Sequence, residues 1–293
     1  MAVEMVLTRR EWLTGLALPA AGMAARAGSQ GGVEIGVQSF SFKDLPFDAM
    51  LDACERAGIR SLEIWSGHIE RPWAERGRPG GRERLRQWRI AEGPFACARA
   101  REELARRNLR LNAFNLSIRN EFTDEEIDAA FRMAQAFGTD ILTTSSNVST
   151  AARIDPFAKE RKVRVGFHNH ARIHEDEFAT PEDFAKATEG YSEWLGVNLD
   201  VGHYHAAGFD CVEFLRRNHA RTWALHMKDR RSQDGPKVAF GAGDAPLAAV
   251  MTILRDEGWP IPANIEMAYP TGDPVAEVAA GRRYLERALA RAT

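Results

Sequence analysis

From about residue 32 onward, short runs of β-branched and apolar residues alternate with longer stretches whose apolar positions recur at helical spacing. The short runs predict eight strands, at residues 34–38, 61–65, 109–114, 140–144, 163–167, 196–200, 222–226 and 263–267. The longer stretches predict helices at 47–57, 83–107 with a break at Gly93-Pro94, 124–137, 181–187, 211–218, 246–257 and 274–290. Thr180-Pro181-Glu182-Asp183 and Asp124-Glu125-Glu126 read as helix entries, and Gly58, Gly138 and Gly258 as exits. The fourth unit is the least regular, because residues 147–160 must hold a short helix around Pro156. Eight β-then-α units across about 260 residues predict a single (β/α)8 TIM barrel. A doubly wound sheet would carry a glycine-rich phosphate turn after its first strand. Here that strand leads into Ser39-Phe40-Ser41-Phe42 instead.

The first 31 residues fall outside this rhythm. Arg9-Arg10-Glu11-Trp12-Leu13 precedes a short apolar run and then Ala25-Arg26-Ala27, the order of a charged region, an apolar region and a small-x-small cleavage site. The paired arginines resemble a twin-arginine export signal. The run is too short to span a bilayer as a helix, and Pro19 interrupts it. The expected organisation is therefore a signal segment at 1–31 and a catalytic barrel at 32–293. The mature chain would be periplasmic or secreted, with no membrane attachment once the signal is removed; without a working signal it would be cytoplasmic.

Charge changes the picture by exclusion. The formal net charge is -2, so no global field favours nucleic acid or an anionic membrane. The three cysteines, Cys54, Cys97 and Cys211, have neither disulfide-framework nor zinc-site spacing and are expected to pack in the core. A homo-oligomer is compatible with all of this.

Barrel enzymes carry their chemistry at the carboxyl ends of the strands, and polar residues concentrate there. Strand five runs into His168-Asn169-His170, strand six into Asp200-Val201-Gly202-His203, strand seven into His226-Met227-Lys228-Asp229, and strand eight into Glu266. His205 follows close behind His203. A lone histidine or aspartate at such a position is more often scaffold or helix cap. His168, Asp200, His226 and Glu266, however, end four consecutive strands and can converge near the axis, where two buried carboxylates need a cation. A mixed nitrogen and oxygen set fits one divalent ion, Mn²⁺, Co²⁺, Fe²⁺ or Zn²⁺, better than Mg²⁺ or Ca²⁺.

Asp200-x-Gly202-His203, His226-Met227-Lys228-Asp229, Phe240-Gly241-Ala242-Gly243-Asp244 and Ile265-Glu266, together with Ser61-Leu62-Glu63-Ile64-Trp65-Ser66-Gly67-His68, resemble the motif series of the sugar phosphate isomerase/epimerase family, a group of xylose isomerase-like TIM barrels. The resemblance covers about residues 33 to 290. It implies a single divalent ion on His168, Asp200, His226 and Glu266 and a small carbohydrate substrate. It implies an isomerase or epimerase working through an enediolate. Glu266 would be the base, His203 and Lys228 would stabilise developing charge, and Glu63, His68 and His170 would contact substrate. Ketose 3-epimerases of the family have glutamate where this chain has His168, which disfavours a symmetrical two-glutamate proton exchange. Glu175 or Glu177 could supply a second carboxylate. The same enediolate could instead expel a β-substituent, so a lyase or dehydratase acting on keto-sugars, inositol-like polyols or 3-keto-glycosides is the alternative. An endonuclease IV-like nuclease would share the fold but need three zinc ions and a basic surface. A non-catalytic sugar-binding barrel would not need the full set of Asp200, His226 and Glu266.

Overall fold

A computed structural model describes residues 32–70, 76–269 and 271–290. The proposed signal segment at 1–31 lies outside the described residues. Eight parallel strands close into a barrel in chain order: β1 (Ile35–Gln38), β2 (Ser61–Trp65), β3 (Arg110–Asn115), β4 (Ile141–Thr144), β5 (Arg164–His168), β6 (Leu195–Asp200), β7 (Thr222–Met227) and β8 (Ala263–Ile265). The ring is closed by β1 against β8, with Gly36 opposite Asn264. The chain is thus a single (β/α)8 barrel.

Around the barrel lie α1 (Phe47–Arg56), α2 (Gly81–Ala91), α3 (Gly93–Arg106), α4 (Asp124–Phe137), α5 (Ala151–Arg161), α6 (Pro181–Thr188), α7 (Val201–Ala206), α8 (Cys211–Asn218), α9 (Leu247–Asp256) and α10 (Pro274–Ala290). Local chemistry accounts for their ends. Thr180 and Asp183 form a reciprocal capping box at α6, and Gly138 takes a left-handed conformation after α4. Pro94 sits in the first turn of α3, where a missing N–H costs nothing, so the expected break falls between α2 and α3. Pro156 does lie inside α5, which begins only at Ala151 after a 3₁₀ turn over Val148–Thr150.

The apolar core lies between barrel and helices, built from residues such as Phe114, Phe131, Met133 and Phe137. Cys54, Cys97 and Cys211 are buried there as free thiols, and burial raises all three above the ordinary thiol range. The barrel interior differs from the usual filling of Val, Ile and Leu. Ser61, Glu63, Asn112, Thr143, Asn198 and Asn264 are all buried there. Among the described residues, no helix is long and apolar enough to cross a membrane.

Strand β8 ends two residues earlier than predicted, while β6 ends as predicted at Asp200, and both ends shape the mouth. Asp200 caps α7, accepting the His203 N–H at 2.7 Å, so His203 sits on a helix turn and not on a strand. Strand β8 stops at Ile265 because the Met267 N–H is taken by the Ser41 hydroxyl at 2.9 Å. Two motif glycines are explained by close approach. A Cβ on Gly202 would stand 2.3 Å from the Lys228 carbonyl oxygen, and one on Gly243 would stand 2.0 Å from Asp229 Oδ1. Asp229 in turn accepts the N–H groups of Gly241 (2.7 Å) and Gly243 (3.1 Å), which ties the two motifs together. Gly202→Ala is therefore expected to cost about 1–3 kcal/mol of stability through forced backbone shifts, measured as a fall in the denaturation midpoint.

Candidate active site

The register of the barrel brings the strand-end residues together. Asp200 pairs directly with His226 across β6 and β7, and the Glu266 N–H still donates to the Met227 carbonyl at 3.0 Å after β8 has ended. One ligand-capable atom each from His168, Asp200, His226 and Glu266 lies within 4.8 Å of the others, and all four residues are buried. This is the one such group of His, Cys, Asp and Glu among the described residues. His168 Nε2 is 3.4 Å from Asp200 Oδ2 and 3.9 Å from Glu266 Oε2, while His226 Nδ1 is 2.7 Å from Glu266 Oε2. His168 Nε2 is buried without a hydrogen-bond partner, and His226 Nδ1 and Glu266 Oε2 meet as an ion pair without a well-directed hydrogen bond. Buried polar atoms are rarely left so. Two imidazoles and two carboxylates facing one another are the donor set of a divalent ion, so the residues fit the group that the sequence implies.

The remaining nitrogens of both imidazoles face protein. His168 Nδ1 lies 3.4 Å from the Ser145 hydroxyl, and His226 Nε2 lies 2.9 Å from Glu63 Oε2. Each ring turns its other nitrogen toward the cluster. Asn169 holds Asp200 by the backbone: its side-chain oxygen accepts the Asp200 N–H at 2.9 Å and its amide donates to the Asp200 carbonyl at 3.2 Å.

Lys228 stands at the centre of the charges. Its ammonium is 2.7 Å from Asp200 Oδ2, 3.1 Å from Glu266 Oε2 and 3.1 Å from His203 Nε2. Burial opposes its charge, but Asp200 and Glu266 outweigh burial and raise its pKa. Burial likewise acts against Asp200 and Glu266. The histidine and lysine charges beside them nevertheless hold both carboxyls well below the usual range. Burial would also lower His226, yet Glu63 and Glu266 push it up to about 10, so without an ion this imidazole carries a proton.

The other expected residues divide. His203 lies at the mouth between Lys228 and Arg230, whose Nη1 is 2.6 Å from its Nδ1, and burial drives its pKa well down. His170 faces His168 and His203, with ring centroids at 5.1 and 5.7 Å, and burial lowers it to about 3. Glu177 approaches His170 at 3.8 Å but is paired with Arg119 at 2.7 Å, and Glu175 is exposed. His68, expected to face substrate, is bonded at 3.0 Å to the Ser39 carbonyl and packs on Trp65. Glu63, expected to contact substrate, lies inside the barrel, fully buried under His226. Alternating outward positions of a barrel strand are covered by helices, so the polar positions of Ser61-Leu62-Glu63 turn inward. His205 is away from the cluster, bonded to the Ser232 hydroxyl at 3.1 Å. Asn169, Asn198 and Arg230 were missed, since amides and a loop arginine carry no spacing signal. Lys237 was missed as well. It is half-buried, makes no ion pair with the described residues, and burial together with nearby Lys228 lowers its pKa.

Comparison with known proteins follows the same lines. A family model described as the xylose isomerase-like TIM barrel matches residues 51–288. The chain is 27% identical over 173 residues to L-ribulose-5-phosphate 3-epimerase UlaE of Escherichia coli, covering 56% of this chain and 60% of that protein. It therefore spans about 60% of the length of the curated relatives it matches. Among solved structures it is similar to a sugar phosphate isomerase/epimerase from Parabacteroides distasonis, with TM-score 0.62, 18% identity and coverage of 89% and 98% of the two chains. It is also similar to IolI protein crystallised with a zinc atom, with TM-score 0.66, 13% identity and coverage of 88% and 98%. At such identities the two structures speak for the fold alone.

Proposed function

The chain belongs to the xylose isomerase-like TIM-barrel family, and from that footing we propose that it is a divalent-metal-dependent isomerase or epimerase of a sugar or keto-sugar. The observation that carries the reading is the convergence of buried ligand-capable atoms from His168, Asp200, His226 and Glu266 within 4.8 Å of one another. His168, Asp200, His226 and Glu266 would hold the ion. The named epimerase relative supports the carbohydrate substrate. The chemistry such an ion supplies when bound is Lewis-acid polarisation of a carbonyl and its neighbouring hydroxyl.

Glu266, ionised at neutral pH, takes the proton from the carbon beside the carbonyl. Its contacts with His226 and Lys228 both use Oε2, so Oε1 is the oxygen offered to substrate. The resulting enediolate carries negative charge next to the Lys228 ammonium. A neutral imidazole accepts at only one nitrogen. Arg230 faces His203 Nδ1 and the Lys228 ammonium faces Nε2, so this neutral imidazole accepts from one of the two cations and is held at the mouth as a substrate contact. His170 lines the same mouth as a neutral contact.

The test is to incubate metal-loaded protein with keto-sugars and 3-keto-glycosides in deuterated water. Deuterium beside the carbonyl with an isomer or epimer as product is the expected result. Deuterium accompanied by loss of a β-substituent would identify a lyase, and no exchange into any member would contradict the reading. Export through residues 1–31 is a separate proposal. Replacing Arg9 and Arg10 by lysine should retain the chain in the cytoplasm, and unchanged localisation would refute export by that route.

A further inference from the structure

Glu63 is a buried carboxylate in a place where barrels ordinarily pack aliphatic side chains, and no catalytic step above assigns it a part. Four donors converge on it. Thr143 Oγ1 and, at 3.4 Å, Gln38 Nε2 reach Oε1, while Asn264 Nδ2 and the His226 ring each reach Oε2 at 2.9 Å. Below it the polar contacts continue without a gap. Asn264 and Asn112 exchange amide hydrogen bonds at 2.8 and 3.2 Å. Asn112 donates to Ser61 Oγ at 2.8 Å, and Ser61 donates in a very short contact to Glu34. Glu34 is paired at 2.9 Å with Arg110 at the opposite end of the barrel. A hydrogen-bonded column thus runs along the barrel axis from Glu34 up to His226.

An aliphatic interior would avoid the desolvation of a carboxylate and three amides. The column's upper end terminates on His226 Nε2, the nitrogen that does not face the ligand cluster. The Asn198 amide lies 3.0 Å from the same nitrogen, and its unpartnered oxygen can turn to accept there too. Every acceptor around Nε2 therefore favours the tautomer with the proton on that atom, which leaves the Nδ1 lone pair free to face Asp200, His168 and Glu266.

We propose that Glu63 is the positioning residue of the ion site: it holds His226 as the Nε2–H tautomer, presents Nδ1 for coordination, and is itself held by the column through Asn264, Asn112 and Ser61. The proposal rests on the metal-dependent reading above and assigns Glu63 a role other than substrate contact.

The experiment is zinc affinity of the full chain, by competition with a chromophoric chelator, for wild type and Glu63→Gln. It is joined by nitrogen-resolved NMR of the His226 ring in the zinc-loaded protein. Glutamine keeps the size but removes the charge that pulls the Nε2 proton. The expected loss is about 10- to 100-fold in zinc affinity, the range for an outer partner of a metal-bound histidine. The downfield Nε2 proton of a carboxylate-bonded imidazole should move upfield at the same time, a change that a purely structural role would not produce. If Glu63→Gln does not fold, Thr143→Val removes one donor to Oε1 and should give a smaller loss of the same sign. Zinc affinity within about twofold of wild type, with an unmoved resonance, overturns the assignment of Glu63 and leaves the ion site standing. A wild-type chain that takes up no divalent ion overturns both.

Discussion

Replacing Glu266 by glutamine is expected to lower turnover by about 100- to 10,000-fold at saturating metal, the range for loss of a positioned general base. Glutamine fits the same space but cannot take a proton, and it also weakens the ion's hold, which is why the comparison belongs at saturating metal. The two effects separate in the assay. Washout of deuterium from the carbon beside the carbonyl should fall with turnover, whereas substrate binding should change little. Turnover within about twofold of wild type would remove Glu266 from the role of base.

Lys228→Met should have the largest effect on stability. The ammonium is buried between Asp200 and Glu266, at 2.7 and 3.1 Å. Removing it leaves two carboxylates facing each other with only the His226 proton between them, and breaking such a buried pair costs about 3–5 kcal/mol. A divalent ion should restore part of this, because an ion present at about a hundredfold its dissociation constant stabilises by about 2.7 kcal/mol. Turnover should stay at least ~100-fold down even when the ion is present, since the charge facing the enediolate is gone. Chemical denaturation with and without zinc reads the first effect, and the exchange assay reads the second. A metal-free Lys228→Met chain as stable as wild type would mean that the carboxylates are not ionised together.

Much of this was legible in the order of residues. Eight strand and helix alternations with no phosphate-binding glycine turn specify a barrel, and a barrel directs attention to its strand ends. That is how His168, Asp200, His226 and Glu266 could be grouped from spacing alone. What the spacing could not convey was how the chain leaves a strand. The predicted β6 ends at Asp200, but only the fold shows the Asp200 side chain accepting the His203 N–H and starting a helix, which sets His203 at the rim beside Arg230. Alternation assigns Asn169 an outward turn position. Its amide instead substitutes for a peptide group against Asp200, a role that only three-dimensional adjacency reveals. Glu63 is assigned to substrate contact by its motif's resemblance, and a motif does not show depth: a closed barrel has two buried faces and holds a carboxylate only where donors surround it.

The central claim is that one divalent ion is held by His168, Asp200, His226 and Glu266, and its most direct test is metal content per chain after loading and dialysis. Wild type should retain about one equivalent of Zn²⁺, Mn²⁺, Co²⁺ or Fe²⁺, and the paired substitution of Asp200→Asn with His226→Ala should retain almost none. Three equivalents of zinc in wild type would point to a nuclease-like centre. Undiminished retention by the folded double variant would show that the ion lies elsewhere, and the catalytic proposal would fall with it.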